Sequence, residues 1–446
     1  MLDTPDDEVV PSIDSVGGET LQRHLADPNL VPGQLITWPA FVDSEQLPEL
    51  IEEALANNHD LQATAARWLA TVEQAKVAAG PRWPALSANI ERSRQKNEGN
   101  AAAPDAVNDS ATASLSISWE VDLWGGVALG AKSALNNALR QEELLLWSRY
   151  SLAAQLSKTW LDALEAKQQW QLAEAREGNL RSNLDVIEDG FLSGIRDALD
   201  VYTSRAEFAN SQSNTLLREQ NYRRLARLLM VLLGRYPDAE IALQEDNPEL
   251  TVPLVEGLSL SLLERRPDIK ASAHALIAQQ ASLGVATAAR LPALTLRGSY
   301  GASEERLGEV LSGDDLFWNA IGGLSAPLFR GGQLAAGQRR QKALLEAALE
   351  DYKGTVLNAI LEVEQTLDNE QLLLQQLQAG HRANDVSRVA EEQAFESYVA
   401  GLSNLNTWLL AQRTAFSRKG ELLQLQTNLL KNRIDLYLAL AGDFGA

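Results

Sequence analysis

The stretch S-L-S-I-S-W-E-V-D-L-W-G-G, residues 114–126, alternates apolar and polar side chains over most of its length. Successive side chains of a β-strand point to opposite faces, so this alternation predicts a strand with one apolar and one polar face. The apolar positions are Leu115, Ile117, Trp119, Val121 and Leu123, and the polar positions end with Glu120 and Asp122. The polar face is expected to contact water, and the apolar face to contact either lipid or the interior of a half-buried sheet.

The chain contains the same landmarks twice, with offsets of 206 to 208 residues (126 to 332, 84 to 292). Ordered matches at a nearly constant offset predict an internal duplication. The matched landmarks are Pro84-Ala-Leu with Pro292-Ala-Leu, Trp124-Gly-Gly with Arg330-Gly-Gly, and Phe191-Leu-Ser-Gly with Tyr398-Val-Ala-Gly. The predicted fold class is mainly α with a membrane β-barrel part, built from two tandem repeats of helix, strand, strand, long helix and helix.

The repeats predict the following organisation. An extended N-terminal segment (1–43) precedes repeat 1 (44–234), a connector (235–254) and repeat 2 (255–446). Repeat 1 has predicted helices at about 44–79, 127–189 and 197–234, and strands at about 85–94 and 113–123. Repeat 2 has predicted helices at about 255–289, 334–397 and 404–441, and strands at about 293–302 and 316–328.

The long helices have sixty-odd residues each and would measure roughly 95 Å at 1.5 Å per residue. Apolar residues recur every seven positions, as at Leu146, Ala153 and Trp160. This spacing predicts helices packed nearly parallel in coiled-coil fashion. A rod of this kind has apolar residues on more than one face, which favours oligomerisation.

Two tight turns are predicted where the long helices end. Gly194 and Gly401 can adopt the left-handed conformation that ends a helix. Asp197 and Asn404 then suit the N-cap of the returning helix, because their side chains can accept from free backbone N–H groups.

Four strands of about ten residues match the length needed to cross a bilayer at a tilt. A membrane-spanning sheet cannot leave open edges, and three copies would close it as a 12-stranded barrel. Tryptophans near the strand ends are candidate membrane-interface aromatics: Trp83, Trp119, Trp124 and Trp318. Glycines where strand turns into helix are candidate barrel-rim hinges: Gly125, Gly126, Gly331 and Gly332.

Composition excludes several classes of protein. A formal net charge of −21 argues against a nucleic-acid partner, because phosphates would be repelled. The chain has no cysteine and only four histidines, and phosphate-loop, HExxH and GxSxG motifs are absent. No enzyme activity, cofactor or metal site is therefore expected. The sequence also lacks a run of about 20 apolar residues that would form a transmembrane helix.

These features together resemble the TolC-type outer-membrane efflux family over nearly the whole chain. The resemblance rests on the Pro-Ala-Leu strand entries, the Gly-Gly joints and the aromatic-x-x-Gly turns. It also rests on the helix starts after those turns and on Leu-Glu-Arg-Arg-Pro-Asp-Ile (263–269). It implies a homotrimer with a 12-stranded barrel in the Gram-negative outer membrane and an α-helical coiled-coil barrel in the periplasm.

The resemblance further implies partnership with a periplasmic adaptor (membrane fusion protein) and an inner-membrane RND-type transporter. The chain would be the passive exit duct for drugs or other small toxic compounds. Gly194 and Gly401 would mark the adaptor-contacting tips. The periplasmic constriction candidates are Asp197, Asp200, Asn404, Thr407 and Leu410. The family often has aspartate where this chain has Thr407 and Leu410, so Asp200 is the candidate for an acidic ring.

Three alternatives stay open from the sequence. The same fold could serve as a metal-ion efflux duct or as a type I protein-secretion duct. A soluble coiled-coil scaffold is the alternative from another class. The N-terminus shows no basic or apolar leader region, so a signal peptide is expected to be absent from this chain. It also offers no cysteine for lipidation.

Overall fold

The computed structural model describes residues 44, 46–97, 106–244, 248, 260–305 and 315–440. The predicted N-terminal segment 1–43 lies outside these residues. In chain order the elements are α1 (Gln46–Asn57), α2 (His59–Ala79), β1 (Ala85–Asn97), β2 (Ala106–Val121), α3 (Gly126–Leu192), α4 (Ala198–Leu232), α5 (Pro267–Ala288), β3 (Ala293–Glu304), β4 (Leu316–Ser325), α6 (Gln333–Val399) and α7 (Leu405–Ala439). Short 3₁₀ turns occupy Gly80–Arg82 and Leu260–Arg265.

Matching helices in the two halves have equal lengths. The long helices α3 and α6 both have 67 residues, and the returning helices α4 and α7 both have 35. In each half, two strands precede the long helix. The described residues therefore place the elements of the second half in the order of the first.

The described residues form two compact units that do not coincide with the two halves of the sequence. One unit combines Ala66–Glu143 with Lys270–Gly354 and contains all four strands. The other contains the described parts of 44–65, 144–269 and 355–440. Each of the 67-residue helices contributes residues to both units.

The four strands form one antiparallel sheet in the order β1-β2-β3-β4, so β1 and β4 are its edges. The predicted strand at 113–123 is corrected at both ends, because β2 runs from Ala106 to Val121. Polar cross-strand pairs extend its ladder with β1, and the hydroxyl oxygens of Ser93 and Ser110 lie 2.8 Å apart. The predicted strand 316–328 ends instead at Ser325, two residues before Pro327, which has no N–H to donate to a ladder.

The predicted helix 44–79 is interrupted at Asn58, and the described part of the predicted helix 255–289, from residue 260, is interrupted at Arg266. Asn58 is buried, accepts from the backbone N–H of Leu61 and donates to the carbonyl of Leu232 at the end of α4. Arg266 precedes Pro267, which opens α5 because proline fits the first helical turn, and it donates to the carbonyl of Ala439 at the end of α7. Asn58 and Arg266, the residues at the two interruptions, therefore donate hydrogen bonds to the ends of the corresponding helices α4 and α7.

The core of the second unit forms along the seven-residue ladders. Ala153 and Trp160 on α3 are fully buried, as are Leu229 on α4 and Ile434 on α7. Apolar contact along several turns of these helices excludes water from the seams between them. This packing fixes the helices that carry the tight turns described below.

Candidate functional site

The sheet has one continuous apolar face that is built from all four strands. Residues directly opposite each other in an antiparallel pair project to the same side, so the pairing register defines rows across the sheet. The apolar rows, read from β1 towards β4, are Ile90–Ala113–Ala302–Leu316, Ala88–Leu115–Tyr300–Trp318, Leu86–Ile117–Gly298–Ala320, Trp119–Leu296–Gly322 and Val121–Leu294–Leu324.

Most large side chains of this apolar face are exposed or half-exposed in the protomer, whereas Ala302 is buried. Leu86 and Ile90 are each 72% exposed and Trp318 is 77% exposed. The opposite face carries mostly hydroxyl and amide side chains, such as the row Ser87–Ser116–Ser299–Asn319. Ile321 and Phe317 are apolar exceptions on that polar face. The sheet thus separates an apolar surface from a polar one.

The predicted interface tryptophans lie at two levels of the sheet. Trp83, Trp119 and Trp124 lie at or beyond the strand ends that lead into the helices, whereas Trp318 lies close to the start of β4, opposite Tyr300. The indole N–H of Trp124 donates to the carbonyl of Pro292 at 2.6 Å, so it is satisfied by protein and not by interfacial water.

Asp122 holds the joint between β2 and α3. Its two carboxylate oxygens accept from the backbone N–H groups of Val127 at 3.1 Å and Ala128 at 2.8 Å. A carboxylate at a helix N-terminus satisfies free donors and the helix dipole. The prediction that Asp122 lies on the polar face of the strand is therefore wrong. Asp122 follows the last residue of β2 and caps α3.

The glycine pairs of the two joints differ. Gly125 is left-handed with φ +73°, but Gly126 is the first residue of α3, and a side chain there would come within 3.1 Å of the Ala288 methyl group. In the second joint both Gly331 and Gly332 have positive φ. Of the four predicted rim glycines, three therefore provide a left-handed backbone and Gly126 provides a close helix contact.

Two residues that sequence reasoning missed lie just before the second joint. Leu328 is 94% exposed and Phe329 is 89% exposed. They follow Pro327, beyond the end of β4. The sequence signal that could have identified them is the apolar pair Leu328-Phe329 immediately before the second glycine joint.

Both tight turns after the long helices have the same hydrogen-bond pattern. The N–H of Ile195 donates to the carbonyl of Gly190, and the N–H of Gly194 donates to the carbonyl of Phe191. The second turn repeats these bonds from Leu402 to Ser397 and from Gly401 to Tyr398. These are Schellman motifs, in which a left-handed glycine ends the helix, and both glycines have φ above +70°.

The two predicted N-caps are confirmed. The Asp197 side chain accepts from the N–H of Asp200 at 2.8 Å. The Asn404 side-chain oxygen accepts from both the N–H and the hydroxyl of Thr407, each at 2.9 Å. The Thr407 hydroxyl is thereby engaged in the cap.

An aromatic contact ties the two turns together. The Arg196 guanidinium lies 4.2 Å from the ring centre of Tyr398, and that ring stacks on Trp408 at 5.3 Å. These residues adjoin a buried apolar cluster that includes Val201 and Leu405. The sequence contained Tyr398 only as a turn landmark, and the role of Arg196 was missed because it depends on tertiary contact.

The acidic candidate Asp200 is partly buried. Burial raises the pKa of its carboxyl group, Asp197 raises it further, and Arg196 opposes the shift. Leu410 is 62% exposed on the same helix as Thr407. The structure therefore pairs Asp197 with Asp200 and Asn404 with Thr407, and it places Leu410 one helical turn after Thr407.

Within the described ranges, no helix has an apolar stretch long enough to cross a bilayer. In the same ranges, no three His, Asp or Glu side chains are grouped as metal ligands would be.

Comparison with known proteins decides the family. The model of the outer membrane efflux protein family matches residues 50–235 and again residues 258–442. The chain belongs to the outer membrane efflux protein family. Its predicted resemblance to TolC-type channels and its predicted role as an outer-membrane efflux duct are confirmed.

Individual relatives agree with this assignment. The pyoverdine export outer membrane protein OpmQ of Pseudomonas putida is 32% identical over 425 residues, which cover 92% of this chain and 88% of OpmQ. The cation efflux system protein CusC of Escherichia coli K12 is 26% identical over 406 residues, covering 91% and 88%. The solved outer-membrane channel OprN has a TM-score of 0.85 and 26% identity, covering 92% of this chain and 93% of that one.

In this efflux protein, the Leu-Glu-Arg-Arg-Pro-Asp-Ile signature has a structural explanation. Arg266 is 1% exposed, and its guanidinium donates two hydrogen bonds to Asp268, at 3.0 and 2.7 Å. It also pairs with Glu362 at 2.8 Å and lies 5.0 Å from the ring centre of Trp147. Sequence reasoning used the signature only as a family mark, because Glu362 and Trp147 lie far from Arg266 along the chain.

Proposed function

We propose that three copies of this efflux protein close their sheets into one 12-stranded barrel in the outer membrane. The exposed apolar face of the sheet is the observation that carries this proposal. Its rows extend from Ala113 to Val121 on β2, which is about 27 Å along the strand at ~3.4 Å per residue. A tilt of about 40° reduces the height to ~20 Å, comparable with the apolar band of about 25 Å in outer-membrane barrels.

The open edges of the sheet support the trimer. β1 and β4 have only one neighbouring strand each, and unpaired backbone groups cost several kcal/mol each in lipid. Pairing β4 of one copy with β1 of the next would satisfy both edges. The interface candidates Trp83, Trp119 and Trp318 would then contact the headgroup regions, with Trp124 held against the joint.

The helices are proposed to form a coiled-coil barrel in the periplasm. The two family matches, at 50–235 and 258–442, support tandem repeats at 44–234 and 255–446 with a connector between them. The rim glycines Gly125, Gly126, Gly331 and Gly332 would redirect the chain from barrel strand to barrel helix.

The duct is proposed to conduct drugs or other small toxic compounds, together with a periplasmic adaptor and an inner-membrane RND-type transporter. Of the two curated relatives compared, the pyoverdine exporter is more similar than the cation-efflux protein, at 32% against 26% identity. A metal-ion cargo is therefore the less favoured alternative. The tips at Gly194 and Gly401 are the proposed adaptor contacts.

The periplasmic constriction is proposed to form at the tight turns from Asp197, Asp200, Asn404, Thr407 and Leu410. Asp200 is the acidic member whose carboxylate is free of a capping role. Because burial raises its pKa, acidification would neutralise it before an ordinary aspartate.

Asp200→Ala is expected to raise the basal conductance of the purified protein in planar bilayers. Three carboxylates that narrow the constriction would be removed at once. The difference in basal conductance between wild type and Asp200→Ala should become smaller on acidification, because the carboxylate of Asp200 in the wild type loses its charge. The matched control is Asp368→Ala, which removes the same charge at an exposed position within α6. If wild type and Asp200→Ala had equal conductance, Asp200 would be only a residue of the first turn of α4 and not part of the constriction.

A further inference from the structure

A pocket of about 240 Å³ lies between α3, α4 and α7. Arginines from all three helices line it: Arg176 from α3, Arg218 from α4 and Arg413 from α7. The pocket also contains Asn214 and the ring of Phe416, and the Arg176 guanidinium lies 5.9 Å from the centre of that ring. A convergence of three guanidinium groups is notable in a chain of formal net charge −21.

Carboxylates near the pocket do not neutralise these arginines fully. Glu207 is shared, because it accepts from Arg176 at 2.6 Å and lies 3.3 Å from Arg413. Glu165 attracts Arg218 electrostatically, but among the described residues Arg218 forms no ion pair within 4.0 Å. Burial raises the pKa of Glu165, although a hydrogen bond from Gln169 opposes the shift. Arg176 and Arg413 thus share the carboxylate of Glu207, and Arg218 has no carboxylate within 4.0 Å among the described residues.

The pocket also presents donors without acceptors. The Nε–H of Arg176 is buried and has no hydrogen-bond partner among the described residues. The guanidinium of Arg218, which is exposed, and the amide of Asn214, which is half-buried, form no hydrogen bond within the described part of the chain. An oxyanion that enters the pocket would therefore find N–H groups of both residues free to donate to it.

We propose that this pocket binds a small oxyanion, either inorganic phosphate or the carboxylate of an organic solute. Guanidinium groups present planar forks of N–H donors that match the paired oxygens of carboxylates and phosphates. The volume accommodates a group of that size between the three helices. The residues that line the site all come from one protomer.

The test is isothermal titration calorimetry of the full-length protein in detergent at low, constant chloride, with inorganic phosphate in one arm and succinate in the other. Saturable binding in either arm supports the proposal and identifies the source of the oxyanion. Arg218→Gln is the main variant, because Arg218 is exposed and holds no structural ion pair. It should weaken binding about tenfold or more, since a charged hydrogen bond contributes about 1.5–3 kcal/mol.

Two further variants make the test specific. Arg224→Gln is the matched control, because Arg224 lies on the same helix and bonds only to the nearby Asn221, at 3.0 Å. The affinity of the Arg224→Gln variant for phosphate or succinate should equal that of wild type. Arg176→Lys keeps the charge opposite Glu207 but removes the planar guanidinium, and it should also weaken binding. Absence of binding in both arms, or equal losses in Arg218→Gln and Arg224→Gln, would overturn the proposal.

Discussion

Arginine in place of Ile117 is expected to prevent the protein from accumulating as a folded trimer in the outer membrane. Ile117 lies in the middle one of the five apolar rows and is 46% exposed in the protomer. An arginine on the lipid face at the bilayer midplane costs about 2–4 kcal/mol. Three copies would therefore cost about 6–12 kcal/mol, which is comparable with the whole stability of a typical folded protein.

The matched control for Ile117→Arg is Ser116→Arg. Ser116 is the preceding residue on β2, and its hydroxyl contacts Ser87 and Asn89 on the polar face. Arginine there would project into water, so trimer in the outer-membrane fraction should persist, as measured by gel mobility with and without heating. Normal assembly of Ile117→Arg would show that the apolar face does not contact lipid.

Arg266→Ala is expected to lower the free energy of unfolding of the helical part by about 1.5–3 kcal/mol, the usual contribution of a hydrogen bond to a charged group, because Arg266 is buried while Glu362 is half exposed. The substitution leaves Asp268 and the carbonyl of Ala439 without their donor and opens a void beside Trp147. The measurement is the urea midpoint of the far-ultraviolet circular dichroism signal.

Arg265→Ala is the control for this prediction. Arg265 is adjacent to Arg266 and exposed, and its replacement by alanine removes the same charge. A surface substitution of this kind usually changes stability by less than about 0.5 kcal/mol. If the two variants unfold at the same urea concentration, the buried cluster around Arg266 does not stabilise the fold.

Sequence patterns predicted the structural features that depend on residues close together in the chain. The alternation at 114–121 predicts β2, glycine predicts both turn ends, and the short polar side chains of Asp197 and Asn404 predict the caps they form. Seven-residue spacing similarly predicts the burial of Ala153 and Trp160 on α3. Each of these effects acts within one or two turns of chain, so the residues that cause it are adjacent in sequence.

The features that sequence reasoning missed depend on contacts between distant segments. The interruption at Asn58 depends on a carbonyl in α4, and the burial of Arg266 depends on α6 and α7. Asp122 was placed on the strand because its alternation continued past the last strand residue. The arginine pocket brings together three helices whose arginines are isolated in sequence.

The most direct test of the shared membrane barrel is native mass spectrometry of the protein extracted by detergent from isolated outer membranes. The expected result is a particle of three chains, each of 48.7 kDa. That particle should dissociate into single chains on heating. Recovery of the folded protein as a monomer, or its release from the membrane fraction without detergent, would contradict a 12-stranded barrel built by three copies.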